Sequence, residues 1–172
     1  MTTEAITLQI ITHRHSMNYT LSIIGILMLF VVTSCDPERV FDDNKTIEGD
    51  AWYYKNRVPF DVRIKDTTKL YNVYVNLRVS ADYKYSNVFM LVHTLNPDKK
   101  TDQRRIEIKL ANESGKWLGS GLGDLYDYQF PAFRKVKFPQ QGFYRFELEQ
   151  NMRDDTLMFV KAVGIRVEEV TE

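Results

Sequence analysis

The sequence predicts an all-β protein: two antiparallel sheets packed face to face, with about seven or eight strands, immunoglobulin-like or jelly-roll-like in build. Three observations lead there. Apolar and polar residues alternate with a period of two in several separate segments, the mark of half-buried strands. Turn-forming clusters such as 66–68, 96–100, 139–142 and 151–155 fall between those segments at the spacing of a β-sandwich. No stretch beyond residue 35 has the length and period of a helix that could cover a parallel sheet. The 13% aromatic content, mostly Tyr and Phe, also favours sheet. A small closed barrel is the alternative.

The first element is a leader. Residues 21–32 read Leu-Ser-Ile-Ile-Gly-Ile-Leu-Met-Leu-Phe-Val-Val. Twelve residues are too few for a membrane-spanning helix, which needs about 20. They suit the apolar region of a signal peptide. The tract ends in Val32-Thr33-Ser34-Cys35, which resembles a bacterial lipobox, and Cys35 is the only cysteine. In such signals the thiol takes a diacylglyceryl group and the chain is cut before it. Two or three acyl chains anchor a protein stably, where one does not. The residues before the tract carry Arg14, whereas a start at Met17 leaves no Lys or Arg ahead of it; the leader of 1–34 is therefore over-long if translation begins at Met17. Cys35 is the expected lipidation site and the membrane its first partner.

Residues 35–50 read as a lipidated tether, polar and acidic, and 51–172 as a single sandwich domain. Residues 51–54, Ala-Trp-Tyr-Tyr, either plug the core or lie exposed. Val58, Phe60, Val62 and Ile64 alternate with polar partners, and Pro59 favours an edge or a strand start. Residues 70–79 alternate most cleanly, with Tyr71, Val73, Val75, Leu77 and Val79 on one side. Residues 88–92 are apolar on both faces and read as a strand at the middle of the core. Residues 105–110 alternate again. Residues 115–127 hold four of the eight glycines; this is expected to be a tight loop docked by Trp117, Leu118, Leu122 and Leu125. Pro131 is expected to separate two segments, 126–130 and 133–138. Residues 143–150 and 157–167 supply the last strands.

The chemistry expected is sparse. Equal numbers of acidic and basic residues, 23 each, give no basis for nucleic-acid binding. One cysteine excludes an intrachain disulfide and a site of several thiolates. His93 is the single histidine after Cys35 and is expected to meet its hydrogen bonds in or near the core. No Gly-x-Ser-x-Gly elbow or phosphate-binding glycine motif occurs. Asp124 and Asp127 suggest a hydrolase carboxylate pair or a calcium site only weakly. Lys99, Lys100, Arg104 and Arg105 surround one turn and suit anionic headgroups or an acidic partner. No catalytic residue, metal or cofactor is expected. The candidate partner-binding residues are Tyr83, Tyr85, Trp117, Leu118 and Asp124.

Four segments carry a family resemblance: 35–41 (Cys-Asp-Pro-Glu-Arg-Val-Phe), 71–78 (Tyr-Asn-Val-Tyr-Val-Asn-Leu-Arg), 83–89 (Tyr-Lys-Tyr-Ser-Asn-Val-Phe), and 115–124 (Gly-Lys-Trp-Leu-Gly-Ser-Gly-Leu-Gly-Asp). In this order they resemble gliding-motility lipoproteins of the GldH type from Bacteroidetes. The resemblance implies a non-catalytic, lipid-anchored envelope protein, expected at the outer membrane, with protein partners in the gliding or type IX secretion apparatus. A surface carbohydrate-binding module is the alternative, and a carboxylate hydrolase a remoter one.

Overall fold

The computed structural model describes residues 38–171; the leader, the lipobox and Cys35 lie outside the described residues. Ten strands follow in order: β1 (Arg39–Thr46), β2 (Ala51–Tyr53), β3 (Val58–Ile64), β4 (Tyr71–Ser80), β5 (Asn87–Leu95), β6 (Thr101–Lys109), β7 (Leu125–Val136), β8 (Gly142–Gln150), β9 (Thr156–Met158) and β10 (Val160–Glu169). One sheet has the order β1-β10-β4-β7, the other β3-β8-β5-β6, and β2 pairs with β9 as a short ribbon. Every pairing is antiparallel. The result is the two-sheet sandwich that the periodicity predicts, without closure into a barrel.

Period-two alternation explains the core. β3 buries Val58, Phe60, Val62 and Ile64 and exposes the residues between them. β4 buries Tyr71, Val73, Val75, Leu77 and Val79. Tyr144, Phe146 and Leu148 of β8 and Val163, Ile165 and Val167 of β10 complete one continuous apolar cluster between the sheets. Each fully buried side chain of this size contributes roughly 1.5–3 kcal/mol. Trp52 seals one end: it is completely buried, and its indole N–H donates to the Asn56 carbonyl at 2.9 Å. Tyr53 and Tyr54 beside it are exposed.

Four expectations change. Residues 39–46, read as tether, form β1 along the edge of β10, and Ile47 behind it is buried. An edge strand is held by backbone hydrogen bonds and needs no apolar alternation, so its sequence looks like spacer. Residues 88–92 are not buried on both faces. Phe89 and Leu91 are half-buried on the outer side, where the Arg105 guanidinium lies 3.9 Å above the Phe89 ring. Pro131 does not split its segment; β7 runs straight through it. β7 is an edge strand with register shifts beside Pro131, which is where a missing N–H is tolerated. Residues 157–167 divide into β9 and β10 at Phe159, whose φ is 68°.

The outer face of the first sheet has one tight crossing. Gly164 of β10 sits between Asn44 and Asn76, and the Asn44 side chain passes over it. The Asn76 amide group donates to the Asn44 carboxamide oxygen at 3.2 Å. A Cβ on Gly164 would lie 2.0 Å from that oxygen and 2.6 Å from the Asp43 carbonyl. Gly164→Ala is therefore expected to cost about 1–3 kcal/mol, read as a lower urea midpoint at unchanged m value; an unchanged midpoint would show that β1 yields freely.

Candidate partner-binding surface

Two connections meet at one end of the sandwich. Residues 81–86 link β4 to β5, and 110–124 link β6 to β7. The Ala81 N–H donates to the Asp124 carbonyl at 2.7 Å, and the Leu110 and Ala111 N–H groups both donate to the Ser86 carbonyl, at 2.7 and 3.0 Å. Tyr83, Tyr85, Trp117, Leu118 and Asp124 thus lie on neighbouring loops, although their places in the surface differ.

Tyr83 is buried. Its ring meets Tyr85 edge-on at 6.0 Å. Burial, with the Tyr85 and Asp154 oxygens nearby, holds its phenol far above the ordinary tyrosine range. Tyr85 is half-buried, and its hydroxyl donates to the Asp154 carboxylate at 2.6 Å. The Lys84 ammonium sits 5.1 Å over the Tyr85 ring. Tyr85 braces residues 81–86 against Asp154, Tyr83 packs behind it, and the pair offers little free surface.

The glycine loop is rigidly tied. Trp117 is half-buried and stacks on Tyr126 with centroids 5.1 Å apart. The Leu118 N–H donates to the Leu110 carbonyl at 2.8 Å, and Ser120 and Asp127 exchange two backbone bonds of 3.0 and 2.6 Å. The Asn112 carboxamide oxygen accepts from the Ser114 and Lys116 N–H groups at 3.1 and 2.9 Å, a turn favoured by Asn. A Cβ on Gly121 would lie 1.8 Å from the Leu125 carbonyl, so only glycine allows this backbone approach. Leu118 and Leu122 do not dock as expected: Leu118 is 56% exposed and Leu122 92%. Tyr83, Leu110 and Tyr128 are buried in the core cluster, and the two leucines are not part of it. Asp124 is exposed beside them.

The remaining candidate groups are engaged in ion pairs or stacking. The Arg78 guanidinium makes two bonds to the Asp127 carboxylate, at 2.6 and 3.0 Å. His93 Nε2 lies 2.8 Å from Glu149 Oε2, and Arg57 Nε donates to the same oxygen at 2.7 Å. The histidine is half-buried on the outer face of the second sheet. Arg104 and Arg105 lie over the rings of Phe133 and Phe89; at the exposed turn Lys100 pairs with Asp98 at 2.9 Å, and Lys99 is the exception that extends into solvent. Among the described residues no group of three or more His, Cys, Asp or Glu is placed to hold a metal ion.

Sequence reasoning missed the polar ladder on the outer face of the first sheet. Gln129 donates to the Asn76 oxygen at 3.3 Å, Asn76 to Asn44, and Arg166 to Asp42 at 3.0 Å. Alternation marks Asn76 and Arg166 as outward-facing, whereas β1, which supplies Asp42 and Asn44, has none. Their assembly depends on strand register, which no local pattern displays.

A family model described as GldH lipoprotein matches residues 39–167. A gliding motility lipoprotein GldH of Flavobacterium johnsoniae is 34% identical over 154 residues, covering 84% of this chain and 95% of its own length. A gliding motility lipoprotein GldH homolog of Christiangramia forsetii is 31% identical over 152 residues, covering 84% and 93%. Among solved structures, the infectious bursal disease virus VP2 subviral particle is similar at 14% identity and a TM-score of 0.38, over 77% of this chain and 33% of that one.

The buried Tyr83 gives a pH test. Its folded-state pKa lies above the unfolded value, so its contribution to stability is present below about pH 10 and is lost as pH rises toward the folded value. The thermal midpoint is expected to fall above that pH, and to fall less steeply in Tyr83→Phe. Tyr71, Tyr74 and Tyr128 are raised as well, so the slope is reduced rather than removed. An identical slope in the variant would contradict this assignment.

Proposed function

The chain belongs to the GldH lipoprotein family, and we propose that it acts in the gliding-motility or type IX secretion machinery as a non-catalytic envelope component, through protein–protein contacts. In this reading Cys35 carries the lipid, the outer membrane holds the anchor, and the sandwich presents a contact surface. The names of the two relatives support the gliding assignment. The lipobox sequence at residues 32–35 supports the anchor.

One observation carries the contact reading: Leu118 and Leu122 are displayed to solvent on a loop whose backbone is pinned at both ends. Two neighbouring leucines held out on one fixed loop form an apolar patch of the kind that marks interaction sites. A pre-organised loop loses little conformational entropy on binding, which raises the affinity that such a small apolar patch can supply. Tyr83, Tyr85 and Trp117 serve this surface by fixing its loops, and Asp124 adds a charged rim.

The test is capture from native cells. The full-length protein is crosslinked in its own organism and recovered through a C-terminal tag, and the partners are identified by mass spectrometry. Gliding or secretion components are expected. The double variant Leu118→Ser, Leu122→Ser is expected to lose them by at least about tenfold, or about 1.4 kcal/mol. Its unfolding free energy should shift by no more than about 0.5 kcal/mol, since both residues are at the surface. Equal recovery with the variant would remove the loop from the contact. Recovery of glycan with no protein would favour the carbohydrate-binding alternative instead.

A further inference from the structure

Strand register sorts the connections of the sandwich into two ends. Arg39 pairs with Glu168, Glu168 with Asn72, and Tyr71 with Val136. Ile64 pairs with Gly142, and Leu95 with both Thr101 and Arg145. Connections 65–70, 96–100 and 137–141 therefore gather at the end where β1 begins. Direct contacts hold them there. The Tyr71 hydroxyl donates to the Asp66 carbonyl at 2.6 Å, and the Val170 N–H to the Leu70 carbonyl at 2.8 Å. The Phe138 ring packs between Tyr71 and Tyr144, at 5.3 and 4.6 Å. A Cβ on Gly142 would come within 2.9 Å of Pro97. Connections 47–57, 81–86, 110–124 and 151–159 lie at the opposite end.

The chain is neutral overall, but its charges are not evenly placed. The three connections near β1, with the last two residues of β7, carry Lys65, Lys69, Lys99, Lys100, Lys135 and Lys137, all exposed, against Asp66 and Asp98 alone. The neighbouring strand ends add Arg39, Arg63 and Arg134 against Glu38, Asp102, Glu168 and Glu169, and this end stays basic. Glu168 is paired with Arg166 and Glu169 with Lys69. The four opposite connections hold seven acidic and five basic residues. Cys35 stands three residues before Glu38, a reach of at most about 11 Å even when fully extended. That is close to the Debye length, about 8–10 Å at physiological salt, within which headgroup charge is felt.

We infer that the lysine-bearing end of the sandwich rests on the anionic phospholipid headgroups of the leaflet that holds the Cys35 acyl chains. Each lysine near such a surface is attracted to it, and several together orient the domain. Strands of nine to twelve residues, such as β5, β8 and β7, then set the opposite end about 30 Å farther out at about 3.3 Å per residue. Leu118 and Leu122 face away from the membrane, toward a partner. The inference depends on lipidation of Cys35.

The experiment uses the full-length lipidated protein from native membranes, reconstituted in phosphatidylcholine vesicles with or without phosphatidylglycerol. Flotation with the neutral vesicles tests the anchor. Amine acylation followed by mass spectrometry then measures each lysine's reactivity. With phosphatidylglycerol at low salt, labelling of Lys65, Lys69, Lys99, Lys100, Lys135 and Lys137 is expected to fall several-fold, while Lys84 and Lys116 keep their rates. Added salt should restore labelling. Replacing Lys65, Lys69, Lys135 and Lys137 by Gln, all at exposed positions, should abolish the protection of Lys99 and Lys100. Floated protein labelled equally on both vesicles, protection of Lys84 and Lys116, or protection that survives in the variant would each overturn the inference and leave the anchor standing. Failure to float would overturn both.

Discussion

The insertion of β10 between β1 and β4 is the constraint on which the rest depends. The last long strand of the chain pairs with the first on one side and with the central strand on the other. The first sheet is therefore incomplete until nearly the whole chain has been made. Such non-local pairing is slow to form, because loop closure precedes the contacts that reward it. It also ties residue 39 firmly into the fold. A pull on the chain before β1 is carried by a ladder running from Arg39 to Thr46 and across β10 into the core. A lipid at Cys35 would be joined to the sandwich by a short link, not by a long tether.

That arrangement gives the two ends different characters. Near β1, the Tyr71–Phe138–Tyr144 ring cluster closes the core, and lysines decorate the loops outside it. At the other end Trp52, Tyr83 and Tyr128 are buried in the core, and a glycine-rich loop packs close against Tyr128. Its leucines stay exposed on a backbone fixed by the close approach of Gly121 to the Leu125 carbonyl. The same residues that make the loop rigid leave its apolar tips uncovered. The contact surface proposed for this loop needs no cleft and no catalytic cluster.

Much of the fold was legible because alternation reports which face of a strand is buried. β3, β4 and β8 were readable residue by residue. β1 was not, since an edge strand needs only backbone partners and its side chains look like a solvated spacer. Pro131 suggests a break because no local pattern shows that β7 lies at an edge. The candidate surface was half legible. Glycine spacing marked 115–124 as a special loop, and the tyrosines marked 81–86 as its companion. Whether Leu122 or Tyr83 faces solvent depends on what fills the core below, and that comes from strands far away in sequence. The division of lysines between two ends is likewise invisible until register places the connections.

The orientation, the contact surface and the membrane role all meet at Cys35, so the direct measurement is the intact mass of the protein extracted from native membranes, with fragmentation of its N-terminal peptide. A chain beginning at Cys35 is expected, with diacylglyceryl on the thiol and the mass of further acylation at the new amino group. A chain that retains residues before Cys35, or one that begins there without lipid, would contradict it.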